Sequence, residues 1–351
     1  EQQAADRHAA ESDPDGDGVI RVSNADYLAR PLRLTPTDVT QFVRLEQCDR
    51  FLRFRLAERA GQEFMEPYGV APQRITPLLS LSGKTFEDAV AAELAARFRA
   101  VDYAAVAGGS HNRPPNNSQV AAEARGLAPG KEVLLFQVRL DVELHGWRFR
   151  GDVDLLKLER AADGTLRPLI ADMKSTVEAK VEHRLQVTFY RLMLEALLAA
   201  EGVAHAPTRT GILFRPPVDP TPEEAAAAAP LRDAANIEFG LDRFLLELVA
   251  DPEAYAQSAR DLVLGPASTA RRVAAAPFDD LPYCLSFKCD GCLYTEFCMK
   301  WSAEREDLSL LPYMSGTEKD ALRRGGVTTV RELATLKDFA PAPATGPPLP
   351  G

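Results

Sequence analysis

The spacing of apolar residues changes character at Leu34 and again near residue 131, and these changes outline the predicted elements. Thr35-Pro36-Thr37-Asp38 combines a hydroxyl cap, a proline in the first turn and an early acid. With Phe42, Leu45, Phe51, Leu52 and Leu56 following at helical intervals, it predicts a helix that carries Cys48. A second helix is predicted from Ser82 through Phe86, Glu87, Val90 and Leu94, and residues 108–130 read as a polar loop. Alternation over 133–144, a turn at His145-Gly146, alternation again over 147–158, a turn at Ala162-Asp163-Gly164 and a third strand over 169–174 predict a β-meander. Beyond it the pattern predicts a helix over 181–199, a short strand over 210–214, a surface helix around the alanine run 225–229, and helix over 239–264. Two short helices are predicted within 317–337, around Arg324-Gly325-Gly326.

Of the 351 residues, 46% are hydrophobic and 26% charged, which suits a chain with a sizeable buried core. No stretch has the run of about 20 apolar residues that crosses a bilayer. The opening segment lacks the basic and apolar regions of a secretory signal, so a cytoplasmic setting is expected. The chain opens on Glu1, which reads as a fragment or a processed form. Residues 1–30 read as a flexible acidic tail with seven acids against three bases. Within it Asp13-Pro14-Asp15-Gly16-Asp17-Gly18 looks like the start of a calcium loop, but Asn24 stands where the bidentate Glu belongs, so a solvated tail is the better reading. The tail supplies part of the net charge of −10, a balance that argues against broad nucleic-acid binding while leaving room for a local basic channel. The closing segment 341–351 reads as a Pro/Gly linker of the kind that leads into a further domain.

The chemistry concentrates in Gly151-Asp152-Val153-Asp154 and Ile170-Ala171-Asp172-Met173-Lys174, on two strands joined by a short turn. Alternate strand residues share a face, so Asp172 and Lys174 point the same way, and Asp154 on the neighbouring strand brings a second carboxylate. Such oxygens suit Mg²⁺ or Mn²⁺, which polarises a phosphate and activates water, while the lysine offsets developing charge. Glu87 is the candidate third acid, and Gln186 and Tyr190, four apart on a helix, share one face toward the same place. An Asp-x-Lys on a strand is by itself commonly a surface charge pair. Here the apolar Leu169-Ile170 leads it into a core, where acids need a partner or a metal.

Five cysteines, four of them within residues 284–298, point to metal ligation rather than a disulfide framework. Cys289-Asp290-Gly291-Cys292 is a C-x2-C pair with Cys298 following and Cys48 far upstream, and Cys284 is a substitute ligand by proximity. Spacing alone leaves zinc and iron–sulfur open, since both take four cysteines. The histidines His8, His111, His145, His183 and His205 have no ligand spacing and read as surface or turn residues. Arg44, Arg50, Arg53 and Arg55 read as a solvated helix face, with a phosphate-tracking surface as the functional option. The stretch 322–330 looks like a helix-hairpin-helix element.

The order of these motifs resembles the RecB-like branch of the PD-(D/E)XK nucleases, including the AddB nuclease domain and the CRISPR-associated RecB-type exonucleases. A glycine-led helix with an acid (83–87), G-x-x-D (151–154), D-x-K (172–174) and Q-x-x-x-Y (186–190) follow one another as in that family. Two departures stand out: many relatives carry His in the first motif and Glu before x-Lys, where this chain has Phe86-Glu87 and Asp172. The resemblance implies an α/β restriction-endonuclease-like core, a mixed sheet flanked by helices, with helical N- and C-terminal extensions joined by a metal cluster. It implies that Glu87, Asp154 and Asp172 bind Mg²⁺ or Mn²⁺, that Lys174, Gln186 and Tyr190 complete the catalytic set, and that Cys48, Cys289, Cys292 and Cys298 hold a [4Fe–4S] cluster. The domains expected are a tail over 1–30, the nuclease over 31–305, a helix-hairpin-helix-like element over 306–340 and a linker over 341–351. The implied function is exonuclease action on single-stranded DNA or DNA ends, in repair, recombination or phage defence, beside a helicase in cis or in trans and away from membranes. The alternative is a non-catalytic iron–sulfur or zinc module that binds DNA or scaffolds a helicase.

Overall fold

The computed structural model describes residues 31–73, 77–108 and 113–336. The acidic tail with its calcium-loop-like stretch, His8, His111 and the Pro/Gly segment 341–351 lie outside the described residues. The chain divides into two compact units, one built from Glu1–Gly69 and Ile75–Leu281, the other from Val70–Arg74 and Pro282–Gly351.

The first unit opens with β1 (Leu32–Leu34) and α1 (Pro36–Arg44). The Thr35 hydroxyl accepts from the Asp38 N–H at 3.0 Å, the cap expected from the sequence, and the early acid closes it into a capping box, the Asp38 carboxylate accepting from the Thr35 N–H at 2.8 Å. The single helix predicted through Leu56 is broken. Glu46 and Gln47 are left-handed, with φ of 55° and 57°, and Cys48 caps a separate α2 (Asp49–Arg59) instead of lying inside a helix. The Gln47 N–H donates to the Phe42 carbonyl at 2.9 Å and closes the end of α1, so the reversal costs no backbone hydrogen bond.

The break redirects the arginines of α2. Arg53 is fully buried and its Nη1 donates to the carbonyls of Val273 at 3.0 Å and Ala274 at 2.7 Å, in the last turn of α9 (Thr269–Ala275). Arg50 is also buried, 4.8 Å over the Phe278 ring, and Arg55 pairs with Asp38 at 2.7 Å. Neither the solvated face nor the phosphate track expected for this helix survives, because two of its cations hold core contacts.

Next come α3 (Pro77–Ala95), which starts a turn earlier than expected, β2 (Ala100–Asp102), α4 (Tyr103–Val106) and α5 (Asn117–Gly126). The last lies where a polar loop was expected. Its buried stripe is Val120, Ala121 and Ala124, too small to stand out among the polar neighbours. The meander forms as expected: β3 (Lys131–Leu144), β4 (Trp147–Arg160) and β5 (Leu166–Lys174) are successive antiparallel neighbours. His145 and Gly146, with φ of 50° and 76°, make the tight turn between the first two. The unit continues with α6 (Val181–Ala200), β6 (Arg209–Phe214), α7 (Pro222–Phe239), β7 (Leu245–Leu248) and α8 (Pro252–Ala259), then a π turn (Arg260–Leu264) before α9. The continuous helix expected over 239–264 is thus three elements. Gly240, with φ of 66°, stops α7, and Leu245 and Leu246 are both buried in a strand that pairs antiparallel with β6. A short apolar run buried on two faces carries no periodicity that separates strand from helix.

The seven strands form one mixed sheet in the order β2-β3-β4-β5-β6-β7, with β1 lying along β4. Phe86, Val90 and Leu94 of α3 pack on Phe136, Leu155, Met173 and Leu213 to make the core of one face. The feature that positions the site is a change of neighbour along β4. Its first part pairs with β1, ending at Phe149, and its last part with β5, starting at Leu155. Between them, 150–154 faces an opening in the sheet.

The second unit holds a 3-10 turn (Phe287–Gly291), α10 (Thr295–Glu304), a second 3-10 turn (Leu308–Leu310), α11 (Gly316–Arg324) and α12 (Val330–Thr335). The last two are the short helices expected around Arg324-Gly325-Gly326, each opened by a capping box. Lys319 of α11 is buried and donates to Asp307 Oδ1 at 2.6 Å and to the Tyr283 carbonyl at 3.0 Å, so this helix docks on an internal ion pair.

Replacing Arg53 by Ala leaves two carbonyls without their charged donor and a cavity behind them. An unfolding free energy lower by about 3 kcal/mol or more is expected, read from denaturant titration.

Candidate active site

β4 and β5 bring Asp154 and Asp172 together at the opening in the sheet. The pairing of Leu155 with Ala171 sets Asp154 across from Asp172. In place of a ladder bond, the Asp154 carboxylate Oδ2 accepts the Met173 N–H at 2.9 Å. Asp172 is buried, and the Lys174 ammonium, on the same strand face, stands 2.7 Å from its Oδ2. At that distance the ammonium and the carboxylate form a charge-assisted pair, so Oδ2 is a buried oxygen compensated by Lys174. Its other oxygen, Oδ1, accepts from Gln186 Nε2 at 3.2 Å. The same Nε2 lies 3.3 Å from the Tyr190 hydroxyl, so the two residues of α6 that share a face meet the strand acid together.

Glycine at 151 follows from this packing. A Cβ there would lie 2.8 Å from Tyr190 Cε1 and 2.9 Å from Pro36 Cδ, so any side chain would push α6 or α1 off the strand. The two acids of Gly151-Asp152-Val153-Asp154 have separate fates. Asp152 is held by Arg139, whose Nε and Nη2 each donate at 2.7 Å, and by Arg113 at 3.2 Å, so it is neutralised within the sheet. Asp154 has no arginine and faces the opening with Asp172.

The electrostatics follow from this crowding. Burial pushes the Asp154 carboxyl well above the ordinary carboxylate range, Asp172 pushes it further, and Lys174 only partly opposes them. Burial also raises Glu87, with Lys174 pulling it down and Asp172 pushing it up, so Glu87 of α3 lies within the field of the same pair. For Lys174, burial works against the charge, but Asp172 and Asp154 outweigh it and hold the ammonium above its usual range. Burial, then the charges of Asp172 and Asp154, lift the Tyr190 phenol well above its usual value, so it stays a neutral hydroxyl.

Two neighbours went unnoticed in the sequence. Gln137 on β3 is left-handed, φ 52°, at the position opposite Asp154, where its ladder skips from Phe136 to Val138. Arg113 clamps its carbonyl at 2.6 Å, and its amide reaches Glu87 Oε2 at 3.4 Å. A non-glycine residue in this conformation is costly and is typical of a functional site. No sequence pattern marks it, because glutamine in an alternating strand looks like any solvent-facing position. His183 is buried rather than on the surface. Its Nδ1 accepts the Lys180 N–H at 3.2 Å, and burial, then the Lys174 charge, lowers its pKa. Its place one turn before Gln186 was the available signal. His145 lies exposed in its turn as expected.

Of the expected site residues, the structure brings Asp154, Asp172, Lys174, Gln186 and Tyr190 into direct or adjoining contact, with Glu87 held nearby through Gln137. Among the described residues, no group of three or more His, Cys, Asp or Glu side chains is gathered closely enough to enclose a metal ion. The donor chemistry still fits a hard divalent cation: two neighbouring carboxylates, one of them a carboxyl whose ionised form is under-compensated by Lys174 and the Met173 N–H. The five cysteines are half-buried. Cys48 belongs to the first unit and the other four to the second. Cys289 lies in the first 3-10 turn with its Sγ accepting the Ser286 N–H at 3.4 Å, Cys292 ends that turn, and Cys298 sits in α10. Cys284 is engaged elsewhere: its Sγ donates to the Met314 carbonyl at 3.1 Å, and burial pushes its thiol pKa up.

A buried acid with a raised folded-state pKa binds more protons folded than unfolded, so stability falls as pH rises from the ordinary carboxylate range through the raised value. Asp154→Asn removes that penalty. Its metal-free form is expected to unfold at higher temperature than wild type at neutral pH, with the gap shrinking toward pH 4. Mg²⁺ or Mn²⁺ is expected to raise the wild-type melting temperature and leave the variant's nearly unmoved.

With this geometry in place, comparison with known proteins is informative. One solved structure that resembles the chain, described as "Crystal structure of SSO0001", is 12% identical over 76% of this chain and 85% of that one, with a TM-score of 0.30, too low to support an argument. No curated protein matches the chain. No helix among the described residues is long and apolar enough to cross a membrane. The family model described as "PD-(D/E)XK nuclease superfamily" matches residues 43–299, a span that holds Glu87, the strand acids, Lys174, Gln186 and Tyr190. The chain belongs to the PD-(D/E)XK nuclease superfamily.

Proposed function

We propose that this chain is a metal-dependent deoxyribonuclease of the RecB-like branch, acting as an exonuclease on single-stranded DNA or DNA ends. The observation that carries it is the meeting of Asp154 and Asp172 at the opening beside β4, with Lys174 2.7 Å from the buried Asp172 oxygen. Bound Mg²⁺ or Mn²⁺ would polarise the scissile phosphate and lower the pKa of an attacking water. Asp154 and Asp172 offer the strand oxygens, and Glu87 the helix oxygen, for that ion. Lys174 places a positive charge at the same spot, where it orients the attacking water and offsets charge developing on the phosphate. Gln186 fixes the orientation of Asp172 through Oδ1, and Tyr190, neutral and packed on Gly151, fixes Gln186. The setting this suggests is DNA repair, recombination or phage defence, with a helicase in cis or in trans producing the strand to be degraded.

Digestion of labelled single-stranded DNA with Mg²⁺ or Mn²⁺ tests the reading. Wild type is expected to degrade it, and Asp172→Ala and Lys174→Ala to lose activity by on the order of 100-fold or more, the scale for removing one group that stabilises a transition state. Variants that digest as fast as wild type would remove the assigned site. DNA binding without metal-dependent digestion would instead describe a non-catalytic binding or scaffolding module.

The finer resemblance extends to Cys48, Cys289, Cys292 and Cys298 as ligands of a [4Fe–4S] cluster. The supporting features are the C-x2-C-x5-C spacing, the all-thiol donor set and the backbone N–H on Cys289 Sγ. The engagement of Cys284 with Met314 favours leaving it outside the ligand set. Protein purified without oxygen is expected to be brown, with about four irons per chain. Cys292→Ser should abolish the colour and Cys284→Ser keep it. Colourless protein with stoichiometric zinc would reassign the thiols to a zinc site.

A further inference from the structure

We infer that Arg215 binds a phosphate of the substrate strand beside the scissile one, an inference that rests on the nuclease reading above. Arg215 is the first residue beyond β6, whose Phe214 lies in register beside Lys174 on β5. Its N–H donates to the Thr176 carbonyl at 3.1 Å, so the loops that leave the carboxyl ends of β5 and β6 are tied together at this point. Its guanidinium lies 5.0 Å over the ring of Phe86, the residue directly before Glu87 on α3. Arg215 is therefore anchored at the same end of the sheet as the acids, from the strand beside Lys174 and over the helix that carries Glu87.

Other arginines of this unit are spent on carboxylates: Arg139 on Asp152, Arg184 on Glu247, Arg209 on Glu238, Arg243 on Glu93. Lys174 is spent on Asp172. Arg215 is half-buried, and among the described residues no carboxylate pairs with it. A guanidinium is weakly hydrated and tolerates one face against an aromatic ring, while its N–H donors project in the ring-parallel plane. That plane is the geometry that grips a phosphate through two parallel hydrogen bonds. A cation held over an aromatic ring and paired with no carboxylate among the described residues, at the end of the sheet that carries the strand acids, matches a polyanionic ligand.

Binding of a fluorescein-labelled single-stranded DNA oligonucleotide, measured with EDTA over a salt series, tests this alongside digestion kinetics in Mg²⁺. Arg215→Ala and Arg215→Gln are expected to weaken binding about tenfold and to flatten the slope of log K against log salt by about 0.7, the value for one phosphate on a single strand. In digestion the loss should fall mainly on KM. Arg215→Lys, which keeps the charge without the fork, should recover binding in part. If wild type digests DNA and Arg215→Ala and Arg215→Gln bind and digest as it does, the Arg215 assignment falls alone. If the variants lose binding in a chain that never digests DNA, the nuclease reading falls and the phosphate contact stands. A wild-type chain that neither binds nor digests DNA overturns both.

Discussion

Two carboxylates and one ammonium share a buried corner between β4 and β5, and the rest of the first unit is arranged around the cost of that sharing. A buried carboxylate without a full partner is unfavourable by several kcal/mol, and such groups neutralise themselves unless something else supplies charge. Lys174 compensates Asp172, and the backbone N–H of Met173 partly compensates Asp154, which burial still drives toward its neutral form. The corner is short of positive charge by design of its own residues. A divalent cation is the simplest species that removes the deficit, and the same deficit destabilises the fold when the cation is absent.

The sheet makes this corner by changing partners. If β5 ran beside β4 along its whole length, Asp154 would be a ladder residue with its neighbours filling the space. Because β1 occupies the first part and β5 the last, the intervening residues face an opening. Gly151 lets Tyr190 and Pro36 close over one side of it, while Arg139 and Arg113 absorb the charge of Asp152 next door. The left-handed Gln137, clamped by Arg113, interrupts the ladder on the other side and carries an amide to Glu87. One strand thus carries an acid, Asp152, satisfied by two arginines, and an acid, Asp154, held only by a backbone N–H and the nearby Lys174.

How much of this the sequence reveals depends on the range of the interaction responsible. The meander was legible because alternation and a two-residue turn are local, and the strand acids with Lys174 were legible because residues 172 and 174 share a face by periodicity alone. The capping box at Thr35 was legible for the same reason. What was hidden depends on distant contacts. Arg53 is a core residue only because α9 ends beside it, more than two hundred positions later. The left-handed Glu46 and Gln47 break a helix that local spacing supports. Leu245 and Leu246 looked helical until β6 offered them a strand partner. Gln137 is the extreme case: its conformation is set by Arg113 and its role by Glu87, and no neighbour in sequence reports either.

The net charge of −10 looks unfavourable for a protein that handles a polyanion, and the placement of charge resolves the conflict. Repulsion acts over about 8 Å at physiological ionic strength, so local charge governs contact more than the total does. Several acids around the sheet are compensated: Asp152, Glu238, Glu247 and Glu93 each sit on an arginine. Among the described residues, Asp154 and Asp172 pair with no arginine and share Lys174. A divalent ion bound there would, together with Lys174, cancel the charge of Glu87, Asp154 and Asp172, so the corner would stop repelling a phosphate once the metal is in place.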